Sequence, residues 1–259
     1  MTLYYERAGH GPDIVLVHGW GLHAGIWSEL AQDLSRRHRV TAVDLPGHGR
    51  SRGTPADTFT PESLAKEIEK ILPGPAVWLG WSLGGLVALA AARHMPQAVA
   101  KLVLVGATPK FVQAPDWDCA LVPEILDGFA QEIETDTRAA LTRFLSLQLG
   151  DGEAERVTLR HLRAELFRHG EPELTALRAG LRLLKETDLR GALSGIEAPT
   201  LVLHGGRDRL APPDAARRLA ASVRQARLVL FETAGHAPFL SHAAQFNREL
   251  EGFMNGQER

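Results

Sequence analysis

Short, continuous apolar runs alternate with amphipathic stretches along the first part of the chain. Leu3–Glu6, Ile14–His18, Val40–Asp44, Ala76–Leu79 and Leu102–Val105 read as strands. Ala24–Ser35, Glu62–Leu72 and Leu86–His94 read as helices between them. Strands apolar at consecutive positions, rather than alternate ones, belong to a parallel sheet covered on both faces. The alternation resumes with strand Thr200–His204, helix Pro213–Ser222, strand Leu228–Phe231 and helix Ala243–Met254. Right-handed crossovers then predict an α/β fold, a doubly wound, mostly parallel sheet with its site at the carboxyl ends of the strands.

Between Ala107 and Ala198 the strand pattern disappears. Val122–Glu134, Thr137–Leu149, Glu153–Arg168 and Pro172–Lys185 carry helical periodicity instead. An all-helical insertion between two strands of such a sheet would sit over the site as a cap, walling the substrate and excluding water. The expected organisation is a core of residues 1–110 and 195–259, interrupted by a helical cap of residues 111–194.

Composition adds exclusions. At 259 residues, 44% hydrophobic and 23% charged, the chain suits one soluble α/β domain with a substantial core. Its 29 basic and 31 acidic residues leave a net charge of −2, which favours neither nucleic acid nor a membrane surface as partner. No apolar run is long enough to span a bilayer, and the N-terminus lacks a secretory pattern. The single cysteine, Cys119, excludes an internal disulfide and suits a reducing compartment. A cytoplasmic monomer is expected.

The chemistry lies in Trp78-Leu-Gly-Trp-Ser-Leu-Gly-Gly-Leu86. Gly80-Trp81-Ser82-Leu83-Gly84 follows an apolar run and precedes a helix, the strand–turn–helix setting of a nucleophile elbow. A serine hydroxyl needs exposure, orientation and a base to act as nucleophile. In such folds the order is Ser, then Asp or Glu, then His. Asp208, past the strand Thr200–His204, and His236, past Leu228–Phe231, fit that order. His236 is assigned as general base and acid, with Asp208 holding its tautomer. The oxyanion hole should use the N–H of Leu83 and that of Trp20, in the loop His18-Gly-Trp-Gly21. Asp188 and Asp214 are weaker alternatives to Asp208, and Asp44 reads as turn chemistry. Among eleven histidines, His18 reads as loop-shaping, and His48, His94, His161 and His169 as surface or turn residues. No metal-ligand spacing and no phosphate or dinucleotide loop is present, so neither metal nor cofactor is expected.

In the cap, Arg156, Arg160 and Arg163 share one side of a helix, and Arg143 and Arg168 could join them. Spacing alone leaves two readings: a solvated face balanced by Glu153, Glu155 and Glu165, or a docking patch for an acidic partner or phosphate. Phe144, Leu145, Leu147 and Gln148 are equally open, as cap core or as the lining of an acyl pocket.

These motifs cover nearly the whole chain and resemble the α/β-hydrolase superfamily. Within it, His18–Leu22, Asp44–Gly53, Trp78–Val87, Arg143–Gln148, Leu184–Arg190 and Ala234–Phe239 are similar to the esterases that act on pimeloyl-[acyl-carrier protein] methyl ester in biotin synthesis. The resemblance implies hydrolysis of that ester to the carrier-bound acid and methanol. It implies acyl carrier protein as partner. It implies substrate contacts from Trp20, Ser82, Leu83, His236 and the segment Phe144, Leu145, Ser146, Leu147 and Gln148. It also carries Arg143, Arg156 and Arg160 onto a carrier-docking face. Ala139 departs from the pattern, which has a further arginine there; Arg138 is adjacent. A general short-chain esterase, a carbon–carbon bond hydrolase with the same triad, and a non-catalytic binder are the competing readings.

Overall fold

The computed structural model describes residues 3–53, 59–147 and 153–256. Its centre is a seven-stranded sheet in the order β1-β3-β2-β4-β5-β6-β7. The strands are β1 (Tyr5–Ala8), β2 (Asp13–Val17), β3 (Arg39–Val43), β4 (Ala76–Trp81), β5 (Val99–Val105), β6 (Thr200–Gly205) and β7 (Ala226–Phe231). Only β1 runs antiparallel to its neighbour. β4 and β6 are buried along their whole length, in keeping with the consecutive apolar positions Ala76–Leu79 and Leu201–Leu203. β1 is exposed throughout and carries Glu6 and Arg7, charges that protect a sheet edge from pairing.

Several expected elements shift for local reasons. The helix read over Ala24–Ser35 divides into a 3-10 turn, Ala24–Trp27, and α1 (Ser28–Leu34). His23 caps that turn, its Nδ1 accepting the Gly25 N–H at 3.0 Å. α2 (Pro61–Glu69) opens on a proline, with Thr60 Oγ1 accepting the Ser63 N–H at 3.2 Å. α3 (Leu83–His94) starts three residues earlier than its apolar pattern suggests, immediately after Ser82.

Between β5 and β6 the chain forms α4 (Pro123–Thr135), α5 (Thr137–Leu147), α6 (Glu153–Leu166) and α7 (Leu174–Glu186). These inserted helices lie within residues 111–194, and Phe129 of α4, Leu141 and Phe144 of α5, and Leu177 and Leu181 of α7 are buried. Polar anchors tie them to the core. His23 Nε2 donates to the Glu165 carbonyl at 2.7 Å, the Glu173 N–H donates to the Gly47 carbonyl at 2.7 Å, and Trp20 Nε1 donates to the Leu177 carbonyl at 2.9 Å. Beyond them, α8 (Pro213–Ser222), α9 (Pro238–Ser241) and α10 (Ala243–Met254) complete the fold. Among the described residues no helix is long and apolar enough to cross a membrane.

Candidate active site

Ser82 stands in the turn between β4 and α3 at φ 57° and ψ −118°. Among the described non-glycine residues it alone has a positive φ. Such a backbone is strained for a side chain and persists because the surroundings enforce it. The Ser82 N–H donates to the Val105 carbonyl at 3.0 Å, pinning the turn to the end of β5. Both flanking glycines are sterically required. A Cβ on Gly80 would lie 2.5 Å from the Gly84 carbonyl carbon, and one on Gly84 would lie 2.7 Å from the His18 carbonyl oxygen.

Asp208 and His236 meet at the carboxyl ends of β6 and β7. His236 Nδ1 lies 2.7 Å from Asp208 Oδ2, and both side chains are buried. An ionised carboxylate only accepts, so the proton sits on Nδ1 and leaves Nε2 basic. Asp208 Oδ1 accepts the N–H groups of Leu210 and Ala211, each at 2.9 Å. Burial alone would raise the Asp208 pKa; His236, then His204 and the Ala211 N–H, outweigh it and hold the pKa below the usual carboxylate value. His236 Nε2 is buried and makes no hydrogen bond in the structure. Its backbone is fixed by Trp81 Nε1, which donates to the His236 carbonyl at 2.9 Å. A Cβ on Gly106, which follows Val105, would lie 3.0 Å from His236 Nδ1. The serine turn and the imidazole therefore both abut the Val105–Gly106 end of β5.

The loop after β2 closes the other side. A Cβ on Gly19 would come within 3.2 Å of Ser82 Cβ. Trp20 and Leu83 are both buried beside this loop. The Leu83 N–H opens α3, where the first N–H groups of a helix lack intrahelical acceptors and favour negative charge. Phe144 meets the Trp20 indole edge-on, with ring centroids 4.7 Å apart. Leu145 is buried and Leu147 half-buried. Ser146 is exposed and donates to the Thr142 carbonyl at 3.0 Å. Gln148 lies outside the described residues.

The arginines divide by environment. Arg156 and Arg160 are exposed on α6. Arg143 binds Glu132, Nε to Oε2 2.7 Å, and stacks 4.1 Å over the Phe129 ring. Arg138, beside Ala139, pairs with Glu171 at 2.5 Å and covers Phe167. The competing aspartates are occupied elsewhere. Asp188 is held at a pKa of about 2 by its hydrogen bonds to Arg190, and Asp214 pairs with Arg217 on the surface. Asp44 is buried turn chemistry, accepting the N–H groups of Ala24 and Arg50 at 2.7 and 2.8 Å.

His48 fits the turn reading and not the surface one. It is buried in its turn, with Nδ1 2.9 Å from the Pro46 carbonyl and Nε2 accepting the Gly21 N–H at 3.3 Å. His18 shapes the same loops, its Nε2 accepting the Leu45 N–H at 2.9 Å. Sequence reasoning passed over His204. It is fully buried on β6, and its Nε2 lies 2.7 Å from the Ala211 carbonyl and 3.4 Å from Asp208 Oδ2. Burial lowers its pKa, so it stays neutral. A histidine inside an otherwise apolar strand, four residues before the acid, was the available signal. Among the described residues no cluster of His, Cys, Asp and Glu is arranged to hold a metal ion.

Residues 12–243 match the family model described as alpha/beta hydrolase fold, and the chain belongs to that family. Relatives within it are more specific. The chain is 44% identical over 255 residues to the pimeloyl-[acyl-carrier protein] methyl ester esterase of Xanthomonas oryzae pv. oryzae, covering 97% of this chain and 98% of the relative. It is 40% identical over 245 residues to the enzyme of the same name from Nitrosomonas europaea, covering 95% and 96%. Among solved structures, the esterase from Exiguobacterium antarcticum superposes with a TM-score of 0.87 at 25% identity, covering 98% of this chain and 95% of that one. A bromoperoxidase from Bacillus anthracis reaches a TM-score of 0.89 at 22% identity over 98% and 95%, a likeness of fold alone.

Proposed function

We propose that the protein is a serine carboxylesterase that hydrolyses the methyl ester of pimeloyl-[acyl-carrier protein], releasing methanol and the carrier-bound free acid for biotin biosynthesis. The observation that carries the chemistry is the buried Asp208–His236 pair, whose imidazole abuts the same Val105–Gly106 end of β5 that pins the strained Ser82 turn. The substrate rests on the full-length identity to relatives bearing that name.

In this reading His236 Nε2 takes the Ser82 proton as Oγ attacks the ester carbonyl. The N–H groups of Trp20 and Leu83 receive the oxyanion, and preorganised donors of this kind are the largest electrostatic contribution to acyl transfer. His236 then protonates the departing methoxide, leaving an acyl-enzyme. Water, deprotonated by the same nitrogen, attacks the acyl carbonyl; the acyl–Oγ bond breaks, Ser82 Oγ recovers its proton from His236, and the carboxylate is released. Water is the only co-reactant, so no cofactor enters. The inserted helices serve as the cap, with Phe144, Leu145, Ser146, Leu147 and Gln148 belonging to the substrate wall. Arg143, Arg156 and Arg160 form the docking face for the acidic carrier. The enzyme acts in the cytoplasm as a monomer.

The test compares hydrolysis of pimeloyl-carrier methyl ester with that of a short-chain aryl ester, using wild type and Ser82→Ala. Preference for the carrier substrate, lost entirely in a normally melting Ser82→Ala, is the expected result. Activity on the aryl ester alone would keep the serine chemistry and reject the substrate. Turnover retained by Ser82→Ala would reject both.

A further inference from the structure

Helix α7 meets the oxyanion loop through a glycine. Gly180 is buried in the interior of α7, where alanine is the better helix former, so its presence calls for a packing reason. A Cβ on Gly180 would lie 2.5 Å from Trp20 Cδ1, 3.0 Å from Trp20 Nε1 and 3.3 Å from Leu83 Cδ1. The two Trp20 atoms belong to a fully buried ring, which has nowhere to retreat. Three residues earlier on the same helix, the Leu177 carbonyl accepts the indole N–H at 2.9 Å. From α5, Phe144 closes on the ring edge, and Leu141 packs so near that a Cβ on Gly21 would be 2.7 Å from its Cδ2. The indole of Trp20 is therefore gripped by the inserted helices, while its main chain lies in the loop beside Ser82.

We propose that Gly180 and the Leu177 carbonyl are positioning groups for the oxyanion hole. With α7 seated, the glycine admits the indole and the carbonyl fixes its rotation, which sets the direction of the Trp20 backbone N–H. The proposal rests on the reading of Trp20 and Leu83 as oxyanion donors. It means that the hole is complete only while the inserted helices are seated on the core. Displacing α7 lowers the rate of the chemical step before it weakens ground-state binding.

Steady-state kinetics on a short-chain aryl ester, which needs no carrier, test this. Inhibition by a trifluoromethyl ketone runs alongside, because its adduct with Ser82 holds an oxyanion in the hole. Losing one oxyanion donor slows turnover by about 100- to 1000-fold, so a misdirected one in Gly180→Ala should lower kcat by about 10-fold or more. KM should stay nearly constant, and ketone affinity should fall by the same factor as kcat. In a Trp20→Leu background Gly180→Ala should cause no further loss, because the clashing ring is gone. Trp20→Phe, which keeps a ring but cannot bond Leu177, should also lose kcat and ketone affinity together. An unchanged kcat in Gly180→Ala and Trp20→Phe, a loss confined to KM, or equal losses of Gly180→Ala in both backgrounds would overturn the proposal. Turnover surviving Ser82→Ala would instead bring down the serine reading on which it rests.

Discussion

His204 Nε2 stands 3.4 Å from Asp208 Oδ2, the oxygen that receives the Nδ1–H of His236 at 2.7 Å. The same imidazole donates to the Ala211 carbonyl, and the Ala211 N–H returns to Asp208 Oδ1. The acid thus sits in a closed ring of buried polar groups, with a neutral histidine locking the turn that aims it. His204→Leu would leave the Ala211 carbonyl unpaired, a cost of about 1–3 kcal/mol. For a chain of this size that lowers the melting temperature by several degrees, at about 2–4 °C per kcal/mol. His204→Gln, which keeps a donor, should recover part of that loss. Normal melting in His204→Leu would make the contact incidental.

Acid sensitivity should begin well above the carboxylate range. Burial, with added repulsion between the two rings, lowers His18 to about 3. Burial also lowers His48, to about 4. Both have an ordinary value of 6.5. Between those values the unfolded chain binds protons that the folded chain refuses, so stability falls as pH drops. Each histidine contributes about 1.4 kcal/mol per pH unit across its window, starting near pH 6.5. Asp208, depressed below its ordinary 3.8, acts only in more acid solution, where its stabilisation is lost on protonation. Urea unfolding at pH 7, 6 and 5 checks this. A free energy that declines along the series, less steeply in His48→Gln, is expected; a flat series would contradict it.

The fold was legible where one residue type repeats. The consecutive apolar positions of β4 and β6 could only be buried parallel strands, and Gly80 and Gly84 marked a turn that side chains could not enter. Asp208 and His236 were legible because each follows such a strand in the required order. His204 and Gly180 were not, because their meaning is tertiary. His204 earns its role from a loop that folds back seven residues later, and Gly180 from a tryptophan 160 positions away in sequence. The division of the first expected helix also escaped notice, since an apolar period cannot distinguish a 3-10 turn from the helix that continues it.

The backbone of Ser82 predicts a trade between stability and turnover. A side chain at φ 57° and ψ −118° costs about 1–3 kcal/mol, which glycine would largely avoid. Glycine loses more chain entropy on folding, about 0.5–1 kcal/mol relative to alanine. Ser82→Gly should therefore be more stable than Ser82→Ala, by about 1 kcal/mol net, while both lack turnover. Side-by-side melts of the two inactive variants measure the difference. Ser82→Ala melting at or above Ser82→Gly would mean that the turn is not strained.

Charge reversal on α6 separates carrier docking from catalysis. Arg156 and Arg160 are exposed, whereas Arg143 is committed to Glu132 and Phe129. The first two are therefore the arginines that can be changed without disturbing the seam between α4 and α5. An acidic partner is drawn to such a face mainly through its association rate, and salt screens the attraction over about 8 Å at physiological ionic strength. Arg156→Glu with Arg160→Glu should raise KM for pimeloyl-carrier methyl ester by about 10-fold or more at low salt, since such steering changes encounter rates by about 10-fold upward. The melting curve and hydrolysis of a short aryl ester should be unchanged. The difference between wild type and variant should shrink as salt is added, because screening removes from the wild type what the substitution has already removed. Arg143→Glu should behave differently, lowering the melting temperature as well, because it breaks the Glu132 pair and uncovers Phe129. Equal losses on carrier and aryl substrates in the α6 variant, or a defect that salt does not narrow, would place these arginines in support of the fold and leave the carrier to dock elsewhere.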